Sequence, residues 1–258
     1  MTTTASESYA DEGRANPNVM EQIEPDVLYD QRSEVSRARP LLQGDVFDGV
    51  ILPGFGSEPR KVQIVAHPCA MRAGTVLAPR TTVAPVERYQ QVTGRGWDGH
   101  LRVMPLTELL NGTHFATMFV DVTAAPTELL TRSRRIATLS HRGIYVLQQR
   151  LIKHYTRVEM PLEDLRRQSA PVLAEAELQW EWLEGVLSET ELDDDEAIEA
   201  EVAAFDDWLG SGKGSRREQL RLEDHHAGLR REVHQAARDR RVSRASSRRA
   251  EADDVQDG

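Results

Sequence analysis

The sequence predicts an α+β fold in which a small, mainly β barrel of the SH3-like type is followed by C-terminal α-helices. Six short segments, several of them rich in β-branched residues, lie between residues 45 and 139. Short strands without long intervening helices favour an antiparallel barrel over a layered α/β sheet. Glycine and proline recur in the gaps between these segments, and apolar residues adopt helical spacing only after residue 140.

The first part of the chain, residues 1–40, is acidic and carries few large apolar side chains. Such a segment cannot bury enough surface to offset the entropy lost on ordering, so we expect it to be disordered. It also lacks the basic and apolar regions of a secretory signal, which predicts a cytoplasmic protein.

The barrel is expected over residues 41–158. Its strands are predicted at 45–52, 61–66, 80–86, 101–106, 115–122 and 134–139. In the second of them Val62 and Ile64 alternate with polar neighbours, which is typical of a strand with one solvated face. A helix at 140–156, which Ser140 can cap, is expected to pack on the barrel and complete this domain.

Residues 159–210 are predicted to form an acidic helical arm, and residues 211–258 a flexible basic tail. The arm contains apolar stripes at helical spacing over about 171–188 and 194–209. The tail has few large apolar side chains, although Leu229 and its helical neighbours could line one side of a marginal helix. We therefore expect the tail to be disordered until it meets a partner.

Charge is strongly segregated along the chain, whose formal net charge is -10. Residues 41–158 carry 14 basic and 8 acidic side chains, residues 159–212 carry 2 and 17, and residues 213–249 carry 12 and 5. Segregation of this kind bears on partners rather than on the fold. Either the acidic and basic C-terminal blocks neutralise each other, or they dock a partner.

The single cysteine, Cys69, excludes an internal disulfide and a CxxC metal site. His67 lies two residues before it, and nearby cations favour the reactive thiolate, so a Cys69-dependent enzyme with His67 as general base is one alternative. A His-x-Cys pair alone offers too few ligands for zinc, and we predict no metal site and no cofactor. No apolar segment approaches the roughly 18 residues of a membrane span, so no membrane association is expected.

The basic residues of the barrel give a second indication of function. Seven of them fall in or beside the predicted strands: Arg60, Lys61, Arg72, Arg80, Arg88, Arg95 and Arg102. Two aromatic residues, Tyr89 and Trp97, lie among them. Single-stranded nucleic acid requires cations for its phosphates and flat rings for its bases, so the seven cations and Trp97 are predicted to bind it. The alternative is a set of scattered surface arginines, some of them paired with nearby acids.

The segment GDVFDGVILPGFGSEPRKVQIVAHP, residues 44–68, resembles the first hairpin of the MazF/PemK-like barrel family. Gly44-Asp45-Val46 matches the Gly-Asp-Val strand of that family, and Gly56-Ser57-Glu58 matches its Gly-Ser-Glu loop. The sequence TTVAPV, residues 81–86, is similar to the next central strand. The resemblance implies an SH3-like barrel.

The resemblance also implies metal-independent cleavage of single-stranded RNA, the activity known for this toxin family. Arg60 would take the position of the arginine that opens the second strand, and Thr81 that of a hydroxyl residue before the central strand. Without a one-residue shift in the match, the acid/base and oxyanion roles would fall to Lys61 and Arg80. The remaining, less favoured catalytic candidates are His67 and Cys69.

The chain also resembles, more closely, a group of barrel proteins that combine a QGD opening, a cysteine near a strand end and a late helix followed by Arg-Val-x-x-Pro. These features stand at Gln43-Gly44-Asp45, Cys69 and Arg157-Val158-Glu159-Met160-Pro161. This second resemblance implies no particular activity.

Two functions are therefore predicted. One is a nucleic-acid-interacting protein of MazF/PemK-like fold, with endoribonuclease activity at Arg60 and Thr81 as its sharpest form. The other is a non-catalytic adaptor of a larger assembly, such as a phage-defence or mobile-element complex. The adaptor would dock a protein partner through residues 159–210 and 211–249. Toxin barrels of this type are often dimers, so a homo-oligomer is compatible with either function.

Overall fold

The structure is a computed structural model that describes residues 24–92, 94–212 and 214–256, apart from the side chains of residues 94–96 and 249–256. The described strands are Tyr29–Arg32 (β1), Val46–Val50 (β2), Arg60–Ile64 (β3), Arg72–Ala73 (β4), Val76–Leu77 (β5), Arg80–Arg88 (β6), Val103–Leu110 (β7), Thr113–Met118 (β8), Thr123–Pro126 (β9) and Arg135–Leu139 (β10). The described α-helices are Pro25–Leu28 (α1), Pro68–Met71 (α2), His141–Thr156 (α3), Leu162–Val186 (α4), Asp195–Gly210 (α5), Arg216–Gln219 (α6) and Glu223–Gln256 (α7).

The main sheet is antiparallel and curls into a nearly closed barrel. Its strand order is β1-β10-β2-β3-β6-β8-β7, and β9 pairs with the first half of β6. The edge strands approach each other where the Arg32 guanidinium of β1 donates to the Glu108 carbonyl oxygen of β7, at 2.9 Å. The predicted fold class, a small barrel with C-terminal helices in an α+β arrangement, is confirmed.

Each of the six predicted strands is present, with its ends shifted by a few residues. The strand that begins at Arg80 continues to Arg88, because β3, β8 and β9 together pair with its whole length. The short strand β9 is not predicted by the sequence. Its sequence, Thr-Ala-Ala-Pro, has no strand pattern of its own, and it is a strand because it pairs with β6.

The N-terminal segment is ordered over residues 24–40, against the expectation of disorder for residues 1–40; residues 1–23 lie outside the described part. β1 pairs with β10 at the sheet edge, and Leu28 is buried in the barrel core. The segment is too polar to order itself, and its partners lie far away in sequence. The Arg135 guanidinium binds three of its carbonyl groups from at least 95 residues away.

Helix α3 confirms the predicted helix over 140–156. Ser140 caps its N-terminus, because the Ser140 hydroxyl accepts the Gly143 N–H at 3.0 Å. Ile144 and Leu147 are fully buried on the face that packs against the barrel. The helix ends at Arg157, whose φ of 63° places it in the left-handed region.

Helix α4 begins at Leu162, earlier than the predicted start near residue 171. Pro171 therefore lies inside the helix, where its missing N–H interrupts the backbone hydrogen-bond ladder. The longer helix buries Leu165 and Ser169 on the same face as Leu173, which compensates for the interruption. Helix α5 follows the predicted helix to within a residue at each end.

The C-terminal tail contains a long helix rather than the flexible segment predicted for residues 211–258. Helix α7 packs along α4, with Leu229, Val233 and Ala237 buried at four-residue spacing. These few apolar side chains suffice because α4 presents a matching apolar face that includes Leu183. No described helix is both long enough and apolar enough to cross a bilayer.

Ion pairs join the acidic block to the basic block. Arg230 of α7 pairs with Glu177 and Glu181 of α4, at 2.8 Å in each case. Arg240 of α7 pairs at 3.1 Å with Glu201 of α5, which is buried. Within the described residues, the basic block therefore neutralises part of the acidic block, and docking of a partner stays a prediction.

The barrel and the helical arm are joined by buried contacts. Leu173 and Ala176 of α4 belong to the apolar core of the barrel. Conversely, the N-terminal segment that pairs with the barrel contributes Ala38 to the apolar core formed by α4, α5 and α7. The arm is thus part of the support of the barrel rather than an independent appendage.

Candidate nucleic-acid interface

Arg60 and Lys61 lie at the start of β3, and both are ion-paired. Arg60 Nη1 is 3.8 Å from Glu87 Oε1 of β6. Lys61 Nζ is 2.9 Å from Asp48 Oδ2 of β2. The Arg60 guanidinium also lies 5.9 Å from the centroid of the Phe55 ring. An anionic ligand at this end of the sheet would have to compete with the carboxylates that already neutralise both cations.

Arg60 and Thr81 are not brought together. The register of β3 and β6 places Lys61 opposite Val86, so Arg60 lies level with Glu87. Thr81 lies six residues farther along β6, which at about 3.3 Å per residue separates it from Arg60 by roughly 20 Å. The two residues cannot act on one phosphodiester group in this arrangement.

Arg80 and Thr81 lie at the far end of β6, beside β9. Arg80 Nη2 donates to the Ala124 carbonyl oxygen at 3.1 Å. Thr81 is buried, and its hydroxyl has no hydrogen-bond partner among the described residues. A buried hydroxyl is inaccessible to a polymeric substrate. The alternative assignment to Lys61 and Arg80 fails as well, because these residues are separated by a similar length of β6.

His67 and Cys69 do not form a nucleophile and base. His67 Nδ1 accepts the Cys69 backbone N–H at 3.3 Å, so the proton of the neutral imidazole is on Nε2. That nitrogen lies 3.3 Å from Ser169 Oγ in α4 and donates to it. With both ring nitrogens engaged, His67 joins α2 to α4 and has no lone pair to offer as a general base. No described hydrogen bond joins the exposed Cys69 thiol to the ring.

The pKa of His67 is lowered by burial, and this shift predicts a loss of stability in acid. Below pH 6.5, the ordinary pKa, the unfolded chain binds more protons than the folded protein, so stability falls as the pH falls. Burial lowers the pKa of His141 as well. We expect His67→Gln to reduce the loss of unfolding free energy between about pH 7.5 and 5, while His141 keeps part of it. Urea unfolding across this range measures the difference, and an unchanged pH profile would exclude the role of His67.

Two members of the predicted groove are buried structural residues. Arg72 donates through Nε to the Gly74 carbonyl oxygen at 2.7 Å and through Nη2 to Gln179 Oε1 at 2.6 Å. Trp97 is 2% exposed, and its Nε1 donates to the Val92 carbonyl oxygen at 3.2 Å. A ring buried to this degree cannot stack on a base. The structure corrects the prediction for both residues, because burial removes them from any ligand.

Three exposed arginines lie beside one partly buried aromatic ring. Arg88, Arg102, Arg157 and Tyr89 are here called the rim surface. Arg102, Arg157 and Tyr89 line one cavity of about 360 Å³, and Arg88 and Tyr89 line another of about 340 Å³. Tyr89 lines both cavities, so the three arginines flank the same side chain. A 2.7 Å hydrogen bond between the Tyr89 hydroxyl and His100 Nδ1 fixes the ring.

The loop that carries Arg102 is held in place by Arg150 of α3. The Arg150 side chain is fully buried and donates to the carbonyl oxygens of Val103 and Trp97, at 3.0 and 3.3 Å. Its guanidinium also lies 5.2 Å from the centroid of the Trp97 ring. Burial lowers the pKa of Arg150 to about 10, so the group remains protonated at neutral pH. Arg150 is thus a positioning residue for the rim surface.

The arginines of the rim surface differ from most other arginines of the protein in lacking acidic partners. None of the three forms an ion pair or a side-chain hydrogen bond with another described residue. Arg95, another predicted member, belongs to the nearby 3₁₀ helix Gly94–Gly99, but its side chain lies outside the described part. Unpaired surface guanidinium groups are available to an anionic ligand at a low desolvation cost.

The sequence pattern predicts Arg88 and Arg102 as binding residues but indicates no binding role for Arg157. The one feature of the sequence that bears on Arg157 is its position just after the helix that follows the last barrel strand. This position predicts that Arg157 lies near the barrel, but it does not predict which strand Arg157 approaches. The packing of α3 on the barrel brings Arg157 to the cavity that Tyr89 lines.

Within the described residues, no group of three or more histidine, cysteine, aspartate or glutamate side chains is arranged to hold a metal ion. On the barrel, the rim surface combines three unpaired arginines with an aromatic ring. No protein-family model matches the sequence, and comparison with curated proteins gives no match either.

Proposed function

We propose that the protein binds nucleic acid, with RNA as the first candidate ligand, through the rim surface. The single observation that carries the proposal is the group of three unpaired, exposed arginines around Tyr89. Guanidinium groups bind phosphate oxygens in a bidentate manner, and an aromatic ring offers a base a flat apolar surface. The proposal places the protein in the cytoplasm, where RNA is accessible.

Cleavage of the bound nucleic acid is not part of this proposal. The endoribonuclease interpretation depends on Arg60 and Thr81, which lie at opposite ends of β6. The rim surface itself carries arginines but no carboxylate or free histidine that could act as a general base beside them. His100, the nearest imidazole, is engaged with the Tyr89 hydroxyl. We therefore propose binding without hydrolysis.

The adaptor function has less support. It requires an open docking face on the helical arm, whereas the apolar stripes of α4, α5 and α7 pack against one another. In the described part of residues 159–256, the large apolar residues that remain well exposed are Leu222 and Val242. Some of the charges that could attract a partner are used within the protein, because Glu177, Glu181 and Glu201 pair with arginines of α7.

Removal of two arginines from the rim surface is expected to weaken RNA binding. Arg102→Gln together with Arg157→Gln should raise the Kd for a short labelled oligouridine about tenfold, or ~1.4 kcal/mol. The logarithm of the association constant falls linearly with the logarithm of the salt concentration, and each lost phosphate contact should make this slope less steep by about 0.7. Fluorescence anisotropy between about 50 and 200 mM salt measures both quantities, and gel electrophoresis of the same samples should show intact RNA.

A matched control is Arg134→Gln, which removes an exposed arginine that lies just before β10, three strands away from β6 in the main sheet. This variant is expected to bind oligouridine like the wild type. The proposal is wrong if the wild-type protein shows no salt-dependent binding. It is also wrong if the control weakens binding as much as the double variant does, because binding would then reflect net charge alone.

A further inference from the structure

A second aromatic side chain, Tyr155, lies beside the rim surface. It occupies the last turn of α3, two residues before Arg157, and is 61% exposed. Most of its ring surface therefore contributes nothing to the folded core. A large aromatic side chain that remains in water beside unpaired cations is a typical feature of a ligand-binding surface.

The ring of Tyr155 is nevertheless held in a defined position. Its hydroxyl donates to the Phe119 carbonyl oxygen at 3.3 Å. Its ring contacts the His154 ring edge-on, with centroids 4.7 Å apart and an interplanar angle of 81°. His154 in turn forms a hydrogen bond through Nδ1 with the Leu101 carbonyl oxygen, at 3.1 Å. A ring fixed in this way can accept a stacked group with little further loss of side-chain entropy.

The backbone around Tyr155 also holds the rim surface. The Phe119 N–H donates to the Arg102 carbonyl oxygen at 3.0 Å, so the residue that anchors the Tyr155 hydroxyl is bonded to an arginine of that surface. Val120 and Val158, the residues next to Phe119 and Arg157, are 56% and 55% exposed. An exposed ring and two exposed valines therefore lie next to the backbone of Arg102 and Arg157, whose side chains line the cavity at Tyr89.

We infer that Tyr155 is a base-stacking platform and that the protein for this reason selects single-stranded over duplex nucleic acid. This inference rests on the proposed function and names the class of nucleic acid. An unpaired base has a free face for the ring, and its phosphates can reach Arg102 and Arg157. In a duplex the base faces are covered by their neighbours, so only the phosphates remain for the arginines.

Replacing the ring while keeping an apolar side chain tests the inference. We expect Tyr155→Leu in the full chain to weaken binding of a short oligouridine about tenfold. Binding of a blunt RNA duplex of the same length should remain unchanged. Tyr155→Phe keeps the ring and loses only the hydroxyl contact, so its affinity for the single strand should stay within about twofold of the wild type. Because Tyr155 is exposed, both variants are expected to fold, which their thermal unfolding curves will check.

A second measurement reports stacking directly. An oligonucleotide that contains 2-aminopurine should lose more fluorescence on binding to the wild type and to Tyr155→Phe than on binding to Tyr155→Leu, in which only the Tyr89 ring is left to stack. The inference is overturned if Tyr155→Leu binds the single strand like the wild type, if it weakens duplex binding equally, or if the wild type causes no quenching. The proposed function is tested separately. It is supported if the wild type binds RNA in a salt-dependent way and the double variant at Arg102 and Arg157 does not, whatever the Tyr155 variants show.

Discussion

Replacement of Arg135 by methionine is expected to destabilise the protein by about 3–5 kcal/mol. The Arg135 side chain is fully buried, and its Nη1 is 2.9 Å from Asp45 Oδ2. Without the guanidinium, the buried Asp45 carboxylate would retain the Leu42 N–H, at 3.0 Å, as its described partner. An uncompensated charge in the interior is costly, and the expected loss is a large share of the roughly 5–15 kcal/mol by which a typical domain is stable.

The same substitution is expected to loosen the N-terminal segment. Arg135 donates to the carbonyl oxygens of Ser36, Arg39 and Pro40, at 2.9, 2.8 and 3.1 Å. These bonds fix the segment that follows β1 against the barrel. Amide hydrogen exchange should therefore become faster in β1 than in the central strands of the sheet, because β1 is an edge strand with a single partner.

Urea unfolding of Arg135→Met measures the change, and the neighbouring Arg134→Gln is the matched control. Arg134 is exposed, so its substitution should alter the unfolding free energy by less than about 0.5 kcal/mol. A loss of under about 1 kcal/mol for Arg135→Met would contradict the structural role assigned to this residue. A double variant that also replaces Asp45 by leucine should recover part of the loss, because it removes the unpaired carboxylate.

Deletion of residues 159–258 is expected to prevent the barrel from folding cooperatively. The deletion removes Leu173 and Ala176 from the barrel core and exposes the apolar surface of α3 that they cover. It also removes one partner from each of two buried polar side chains: Arg72 loses Gln179 and keeps the Gly74 carbonyl, and Gln148 loses Ser169 and keeps Gln43. Each such loss costs roughly 1–3 kcal/mol, and together with the lost apolar contacts the cost approaches the whole stability of a domain.

A chain that ends at Arg248 is the control for this deletion, because it keeps the buried residues of α7 and all of α4 and α5. It should unfold with a sharp transition close to that of the full chain. The chain that ends at Val158 should show a broad transition or appear in the insoluble fraction. A soluble 1–158 fragment with a sharp, two-state transition would show that barrel and arm are separate folding units.

The strands and helices of this protein follow patterns that can be recognised in the sequence. Six strands and the helix at 140–156 appear where β-branched segments, turn residues and the Ser140 cap predict them. These signals are local, since each depends on residues within one turn or one strand. Three elements, β1, β9 and α7, have weak patterns and are ordered by partners that lie far away in sequence. The two-residue strands β4 and β5, which pair with each other, were not predicted either.

The candidate interface was only partly predictable. Arg88 and Arg102 are common to the predicted groove and the proposed interface, whereas Arg72 and Trp97 are buried and Arg60 and Lys61 are paired with acids. Arg157 and Tyr155 enter it through the packing of α3. Sequence composition identifies the cations of the barrel but does not show which of them face solvent.

By itself, the sequence determined the order of short strands before helices, the helix cap and the separation of acidic from basic blocks. The tertiary structure decided the role of each arginine. An arginine can be buried only where carbonyl or carboxylate oxygens converge on its guanidinium, and these come from distant segments: Arg150 is bound by residues about 50 positions away, and Arg72 by one 107 positions away. Arginines that no such group reaches remain in solvent, and in this protein three of them meet beside Tyr89.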